Sequence, residues 1–183
     1  MNQALENYNC IIQPGHVAYS HEPSYIFTVC GNGLVVTLRD KLKGVGGVAH
    51  CVYPRARKNE APTHYHADIA LRSLLKVLVK SGADAVHHLE AQVIGGGNFK
   101  GLNRDRAQKT LKVIKQTLKK KGIRLISEDV GGEMGRKVLF NTSSGETMVF
   151  KTSKIRRSDW LPELMHQEGF KRVVFERGQV KRT

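Results

Sequence analysis

The sequence predicts an α/β fold in one principal domain, and three observations lead to that prediction. Strand-like segments rich in β-branched and apolar residues alternate along the chain with helix-like segments. Strong turn and helix-ending signals separate them, among them Gly31-Asn32-Gly33 and Gly122. The length of 183 residues suits one domain with a terminal extension and is enough to bury a sizeable core.

The first half of the chain predicts three strands and one helix. The strands cover residues 25–30, 34–38 and 48–53. The first two flank the Gly31-Asn32-Gly33 turn, and Pro54 stops the third. A polar loop is expected over residues 55–63. A helix is expected over residues 65–80, because its leucine, isoleucine and valine residues spread broadly around a helical wheel.

The second half predicts further strands over residues 91–94, 123–127, 137–141 and 147–151. A helix is expected over 104–121, where Leu111, Ile114 and Leu118 form a narrow apolar seam between lysines. After residue 151 a short helix (159–168) and a strand (171–176) look appended. We therefore divide the chain into a domain of residues 1–151 and a basic C-terminal extension of residues 152–183.

The charge of the chain favours an acidic partner. The formal net charge is +14, and segment 100–124 holds ten Lys or Arg but only one acid, Asp105. Such a distribution suits an acidic protein surface or a nucleic acid. Because no aromatic residues alternate with these lysines to stack on bases, nucleic-acid binding is ranked below protein binding.

Cysteine usage and hydropathy predict a cytoplasmic protein. Cys10, Cys30 and Cys51 are odd in number and lack CxxC spacing, which is typical of reduced intracellular proteins. No run approaches the ~18 apolar residues of a membrane span. The N-terminus lacks the basic and apolar blocks of a signal peptide.

No metal and no cofactor are expected. The histidine pairs His64/His66 and His87/His88 have no further Cys, Asp or Glu at zinc spacing, so we interpret them as solvated loop residues. The Gly95-Gly96-Gly97 run follows a strand, but it lacks the Lys-Ser/Thr of a phosphate-binding loop.

One stretch has the layout of a Cys/His nucleophilic site. A strand, the Gly-rich turn and a second strand are followed by Gly46-Gly47 and a strand that carries His50. A turn between strands can present a thiol, and a neighbouring strand can bring the base within hydrogen-bond reach. Gly46 and Gly47 also allow close backbone approach.

Residues 20–151 resemble the CheD family of chemoreceptor glutamine deamidases. The resemblance is carried, in order, by segments 27–40 and 45–50, Tyr65-His-Ala-Asp-Ile-Ala70, Ile94-Gly-Gly-Gly-Asn-Phe99, Glu128-Asp-Val-Gly-Gly132, Gly135-Arg-Lys-Val-Leu-Phe140 and Ser144-Gly145-Glu146. It implies a four-layer α/β/β/α sandwich with mixed sheets. It also implies hydrolysis of receptor glutamine amides and, as partners, methyl-accepting chemotaxis receptors and a CheC-type phosphatase.

The resemblance implies that His50 is the general base. The register counted without gaps from Asp40 and from His50 places the nucleophilic Cys position on Gly33, which has no side chain. The orienting Thr position falls on Phe27, and Thr28 becomes its candidate if the turn is one residue shorter here.

Neither of the neighbouring thiols is expected to replace the nucleophile. We expect Cys30 to be a buried strand residue rather than a substitute nucleophile. Cys51 is expected to face away from His50, because strand side chains alternate.

Three functions follow from these patterns. The first is a CheD-type deamidase that uses an unexpected nucleophile. The second is a non-catalytic relative that binds receptors or a CheC-type phosphatase, because Gly33 replaces the thiol. The third, ranked lowest, is a basic nucleic-acid-binding protein.

Overall fold

The computed structural model describes residues 10–20, 22–80, 83, 86–101, 104–156, 159, 173–176 and 179–182. Two α-helices lie within these ranges, α1 (Ala67–Lys80) and α2 (Arg104–Lys120). The strands there are β1 (Cys10–Ile12), β2 (Val17–Ser20), β3 (Tyr25–Cys30), β4 (Leu34–Asp40), β5 (Val45–Cys51), β6 (Leu89–Gly95), β7 (Arg124–Val130), β8 (Gly135–Asn141), β9 (Thr147–Thr152), β10 (Val173–Glu176) and β11 (Gln179–Arg182).

The strands of the main body form two mixed sheets. Sheet I has the order β1-β3-β8-β9, and only its β1–β3 pair is parallel. Sheet II has the order β2-β5-β4-β6-β7, and only its β6–β7 pair is parallel. The β6–β7 pair can be parallel because helix α2 lies between these two strands in the chain and forms the crossover connection.

The two sheets stack face to face, and the helices cover the other face of sheet II. Residues of both sheets share one apolar cluster, for example Ile26 and Phe140 of sheet I with Val35 and Val48 of sheet II. A second cluster joins the opposite face of sheet II to α1 and α2. The predicted α/β sandwich with mixed sheets is thus confirmed.

The helices were predicted closely because both carry an apolar face. Helix α1 buries six side chains: Ala67, Ala70, Leu71, Leu74, Leu75 and Leu78. Helix α2 buries Ile114 and Leu118 of the expected seam, while Leu111 is only partly buried. Neither helix in the described part of the chain has both the length and the apolar character needed to span a bilayer.

Several boundaries differ from the prediction. Strands β1 and β2 were not predicted, because three and four residues are too few for a recognisable alternation. Strand β5 begins at Val45 rather than at residue 48, since Gly46 and Gly47 pair within the sheet. Helix α1 begins two residues later than expected.

The C-terminal extension is described only in part. The predicted strand 171–176 is observed as β10, and β11 pairs with it in a separate two-stranded sheet. The predicted helix 159–168 lies outside the described residues except for Asp159, whose carboxylate accepts a hydrogen bond from Lys137 at 2.6 Å.

Candidate functional site

The turn between β3 and β4 brings Gly33 against His50. Strand β4 pairs with β5, with Leu34 opposite Cys51, so position 33 lies beside the end of β5. A Cβ atom built on Gly33 would lie 2.7 Å from Nε2 of His50 and 3.0 Å from the carbonyl oxygen of Cys51. A side chain at position 33 would therefore point directly at the imidazole.

The other ring nitrogen of His50 contacts Thr28. Oγ1 of Thr28 lies 3.0 Å from Nδ1 of His50 and donates its own proton to the carbonyl oxygen of Ile12 at 2.8 Å. A hydroxyl has one proton, so towards His50 this oxygen can only accept. Nδ1 therefore carries the ring proton, which leaves the lone pair on Nε2, the nitrogen that faces position 33.

The structure brings Thr28 to His50, and Phe27 does not meet it. Phe27 lies in an apolar cluster with Val29 and Leu139 on the outer face of sheet I. Alternation along β3 therefore turns Thr28 inwards. Thr28, the candidate of the shorter-turn alternative, is thus the residue of β3 that contacts His50, and its orienting role stays a prediction.

The main chain of His50 is held by the loop between β1 and β2. Its N–H donates to the carbonyl oxygen of His16 at 3.0 Å, and its own carbonyl oxygen accepts from the N–H of Gly15 at 2.8 Å. Ile12 and this loop were not anticipated as parts of the site. No sequence signal marks them, because all of these contacts use backbone atoms.

Burial keeps the imidazole neutral. His50 is 1 % exposed, whereas Gly33 above it is partly exposed. Desolvation lowers the pKa of His50 to about 3, and the nearby His16 adds a smaller effect in the same direction. At neutral pH the ring is therefore an uncharged base, and position 33 lies nearer to the surface than the ring does.

Cys30 is a buried strand residue. It is 1 % exposed, in the cluster between the sheets, and its sulfur would lie 3.0 Å from a Cβ atom built on Gly95. Burial raises the pKa of its thiol to about 12, against a smaller opposing effect of Arg136. A thiol with this pKa holds almost no thiolate at neutral pH, so it lacks the reactive form.

Cys51 lies on the opposite face of β5 from His50, as predicted. It belongs to the cluster beneath α1 and α2, and burial raises the pKa of its thiol to about 12. Cys10, like Cys30 and Cys51, is buried.

The glycine run Gly95–Gly97, which begins with the last residue of β6, hydrogen-bonds to the backbone of Gly33. The N–H of Gly96 donates to the carbonyl oxygen of Gly33 at 2.7 Å, and the N–H of Gly131 donates to that of Gly95 at 2.9 Å. Gly95 has a φ of +108°, a conformation that L side chains rarely adopt. The run therefore acts as a structural loop.

Arg136 fixes the loop next to this glycine run. Its guanidinium donates to Oδ1 of Asp129 at 2.9 Å and to the carbonyl oxygens of Gly131 and Met134 at 2.8 and 2.9 Å. The pairing of Arg136 with one of the two acids Glu128 and Asp129 is the predicted one. Its bonds to backbone carbonyls were not predicted.

Among the residues that the structure describes, no group of three or more His, Cys, Asp or Glu side chains comes together. Nε2 of His64 contacts Ser73, and Nε2 of His66 lies 3.5 Å from Glu60.

The fold and this geometry define a class of protein: an α/β sandwich whose two sheets enclose a hydrogen-bonded His–Thr pair facing a strand-connecting turn. A family model described as CheD chemotactic sensory transduction matches residues 53–151. The chain is 35 % identical over 146 residues to the chemoreceptor glutamine deamidase CheD of Thermotoga maritima, covering 77 % of this chain and 90 % of that protein. This chain belongs to the CheD family.

A second relative agrees with this assignment. The chain is 33 % identical over 150 residues to a probable chemoreceptor glutamine deamidase CheD of Methanococcus vannielii, covering 79 % of this chain and 96 % of that protein. Among solved structures, the Bacillus licheniformis hypothetical protein YfiH aligns with a TM-score of 0.42 and 12 % identity over 63 % of this chain and 49 % of that one. The last similarity is too low to define the fold.

Proposed function

We propose that this chain acts on chemoreceptors in chemotaxis adaptation, through the site formed by Thr28, His50 and position 33. The relatives named above are chemoreceptor glutamine deamidases, so the group that this site would meet is the side-chain amide of a receptor glutamine. The observation that carries the proposal is the position of the His50 ring. Its Nδ1 contacts Thr28, and its Nε2 faces position 33.

The chain supplies part of the chemistry that amide hydrolysis needs. Hydrolysis through a thiol requires a nucleophile, a base that takes and returns its proton, and a group that orients the base. Neutral His50 is the base in this proposal, and Thr28 is the orienting group, because it fixes the proton on Nδ1. Gly33 brings no nucleophile, and the thiol of Cys30 is buried and protonated.

We therefore expect this chain to bind receptor segments and to hydrolyse their glutamine amides far more slowly than a variant with a thiol at position 33. Because Gly33 has no side chain, a second candidate function is a non-catalytic role. In that role the chain binds receptors and hydrolyses no amide.

The proposal includes a cytoplasmic location, which the odd number of cysteines and their lack of CxxC spacing support. It also includes a CheC-type phosphatase as a further partner, which the family resemblance implies.

The two functions separate in one experiment. The full chain and its Gly33→Cys variant are each incubated with the cytoplasmic fragment of a chemoreceptor, and mass spectrometry follows the conversion of glutamine to glutamate. We expect receptor binding with little or no conversion by the present chain, and clear conversion by Gly33→Cys. Slow conversion above the rate of an enzyme-free sample supports a catalytic role, whereas binding with none supports the non-catalytic role.

The matched control is Gly33→Ala, which adds the same Cβ atom without sulfur. Because that atom would lie 2.7 Å from Nε2, the imidazole must shift slightly in both variants. A folded Gly33→Cys variant that binds the receptor and converts no glutamine would overturn the assignment of this site. A chain that binds no chemoreceptor fragment would overturn the role itself.

A further inference from the structure

A long groove runs between the two helices on the face of sheet II that is turned away from His50. It has a volume of about 860 Å³. One face of α1 lines it along most of the helix, and the C-terminal turns of α2 line it on the other side. Its wall on α1 extends from Asp68 to Lys80, which is about 18 Å at the helical rise of 1.5 Å per residue. The groove therefore has the length of roughly three helical turns.

The rims of the groove are strongly basic. Six cationic side chains line it: Arg55, Arg72, Lys76, Lys80, Lys120 and Lys121. None of the six forms an ion pair with a carboxylate among the residues that the structure describes. Among the described residues of the lining, the only acid is Asp68, in the first turn of α1. The C-terminal end of the groove, near Lys80, is therefore its most positive part.

The floor between these rims is apolar. Leu75 is 8 % exposed and Val79 is 50 % exposed, and both line the groove from α1. Leu75 and Val79 are four residues apart, so they form one stripe along the helix. The aliphatic stems of Lys76 and Lys80 flank Val79 and extend the apolar strip that a partner could contact.

We propose that this groove is the docking site for an acidic amphipathic helix of a protein partner. A helix with an apolar stripe would contact Leu75 and Val79, and glutamates or aspartates flanking the stripe would meet the lysines on both rims. Complementary charge of this kind speeds association and selects the partner. Its most acidic end would lie beside Lys80, away from Asp68.

A nucleic acid fits the groove less well. Among the described residues no aromatic side chain lines it, so bases have nothing to stack on, and a nucleic acid offers no apolar stripe to match its apolar floor. The docking site is separate from the proposed function, because His50 faces sheet I and the groove faces outwards from α1 and α2.

The probe for this proposal is a synthetic acidic peptide about 14 residues long, near the shortest length at which an isolated helix forms. Leucines recur at helical spacing along one face, and glutamates flank them. Fluorescence anisotropy measures its affinity for the full chain. We expect binding that weakens as salt is added. A scrambled peptide of the same composition is expected to bind at least about tenfold more weakly, a difference of roughly 1.4 kcal/mol.

Two double variants with the same charge change test the position of the site. Lys76→Glu with Lys120→Glu reverses one charge on each rim, and Lys112→Glu with Lys119→Glu reverses two exposed charges of α2 outside the lining. We expect the rim variant to weaken peptide binding at least about tenfold and the control variant to weaken it less than about threefold. Val79→Ser is expected to weaken it without any change of charge.

Three outcomes would overturn the proposal. One is an equal loss in both double variants, which would mean that only the net charge matters. Another is equally tight binding of the scrambled peptide. The third is a DNA duplex that displaces the peptide and loses affinity in the rim variant alone, since the groove would then bind nucleic acid.

Discussion

The two faces of β5 place neighbouring residues in opposite surroundings. His50 and Cys51 are adjacent and equally buried, at 1 % and 0 % exposure. The His50 face meets sheet I through a hydrogen bond to Thr28, whereas the Cys51 face packs beneath the helices in an apolar cluster. Burial alone therefore does not separate a site residue from a core residue. The atoms that each side chain contacts do.

The faces also differ in what lies beyond them. The face with His50 closes on position 33, a glycine that has no side chain. The opposite face ends in helices whose outer surface forms the basic groove. The proposed chemistry and the proposed docking groove therefore lie on opposite sides of sheet II.

The largest expected effect separates His50 from Cys51 in the Gly33→Cys background. In that background, His50→Ala should lower the deamidation rate at least about 100-fold, because a general base contributes on that scale. Cys51→Ala should leave the rate close to that of Gly33→Cys and lower only stability. Mass spectrometry of a receptor fragment measures both, and equal losses would mean that the two faces are not functionally distinct.

The second effect concerns the close packing at the start of β5. A Cβ atom on Gly47 would lie 2.6 Å from both the carbonyl oxygen of Ala18 and Cδ1 of Leu74. Gly47→Ala should therefore lower the free energy of unfolding by about 1–3 kcal/mol, as overpacking does. Urea unfolding measures it. Gly46→Ala tests the face towards sheet I, because its Cβ would meet Thr142 and Phe140. An unchanged urea midpoint in either variant would contradict the close packing.

The third effect concerns Thr28. Thr28→Val removes the hydrogen bonds of this hydroxyl with Ile12 and His50, so it should lower the free energy of unfolding by about 1–2 kcal/mol. Thr28→Ser keeps the hydroxyl and should recover most of that loss. If urea unfolding shows the same stability for both variants, the hydroxyl does not hold the imidazole.

The smallest effect is a dependence of stability on pH that belongs to His50. Its folded pKa of about 3 lies below the unfolded value of about 6.5, so the unfolded chain binds more protons between these values. The free energy of unfolding should then fall as the pH falls through this window, by about 1 kcal/mol between pH 7.5 and pH 5.5. His50→Asn should remove this part of the slope, and identical slopes would show that the ring is not buried neutral.

The sequence was sufficient for the features that depend on local pattern. The turn at Gly31–Gly33, strand β3 and both helices follow from turn chemistry and hydrophobic spacing, which act over a few residues. The glycine at position 33 was also visible, because its spacing from Asp40 and His50 can be counted in the sequence. These features need no knowledge of which strands are neighbours.

The remaining features depend on contacts between distant segments. The choice of Thr28 over Phe27, the carbonyl oxygen of Ile12 and the bonds of Arg136 all require the two sheets to be stacked in one particular register. Strands β1 and β2 are too short to predict, yet they and the loop joining them hold His50. By itself, the sequence determined the family pattern and the missing side chain at Gly33. Only the tertiary structure decided which face His50 occupies and which hydroxyl it meets, because pairing between distant strands leaves no local trace in the chain.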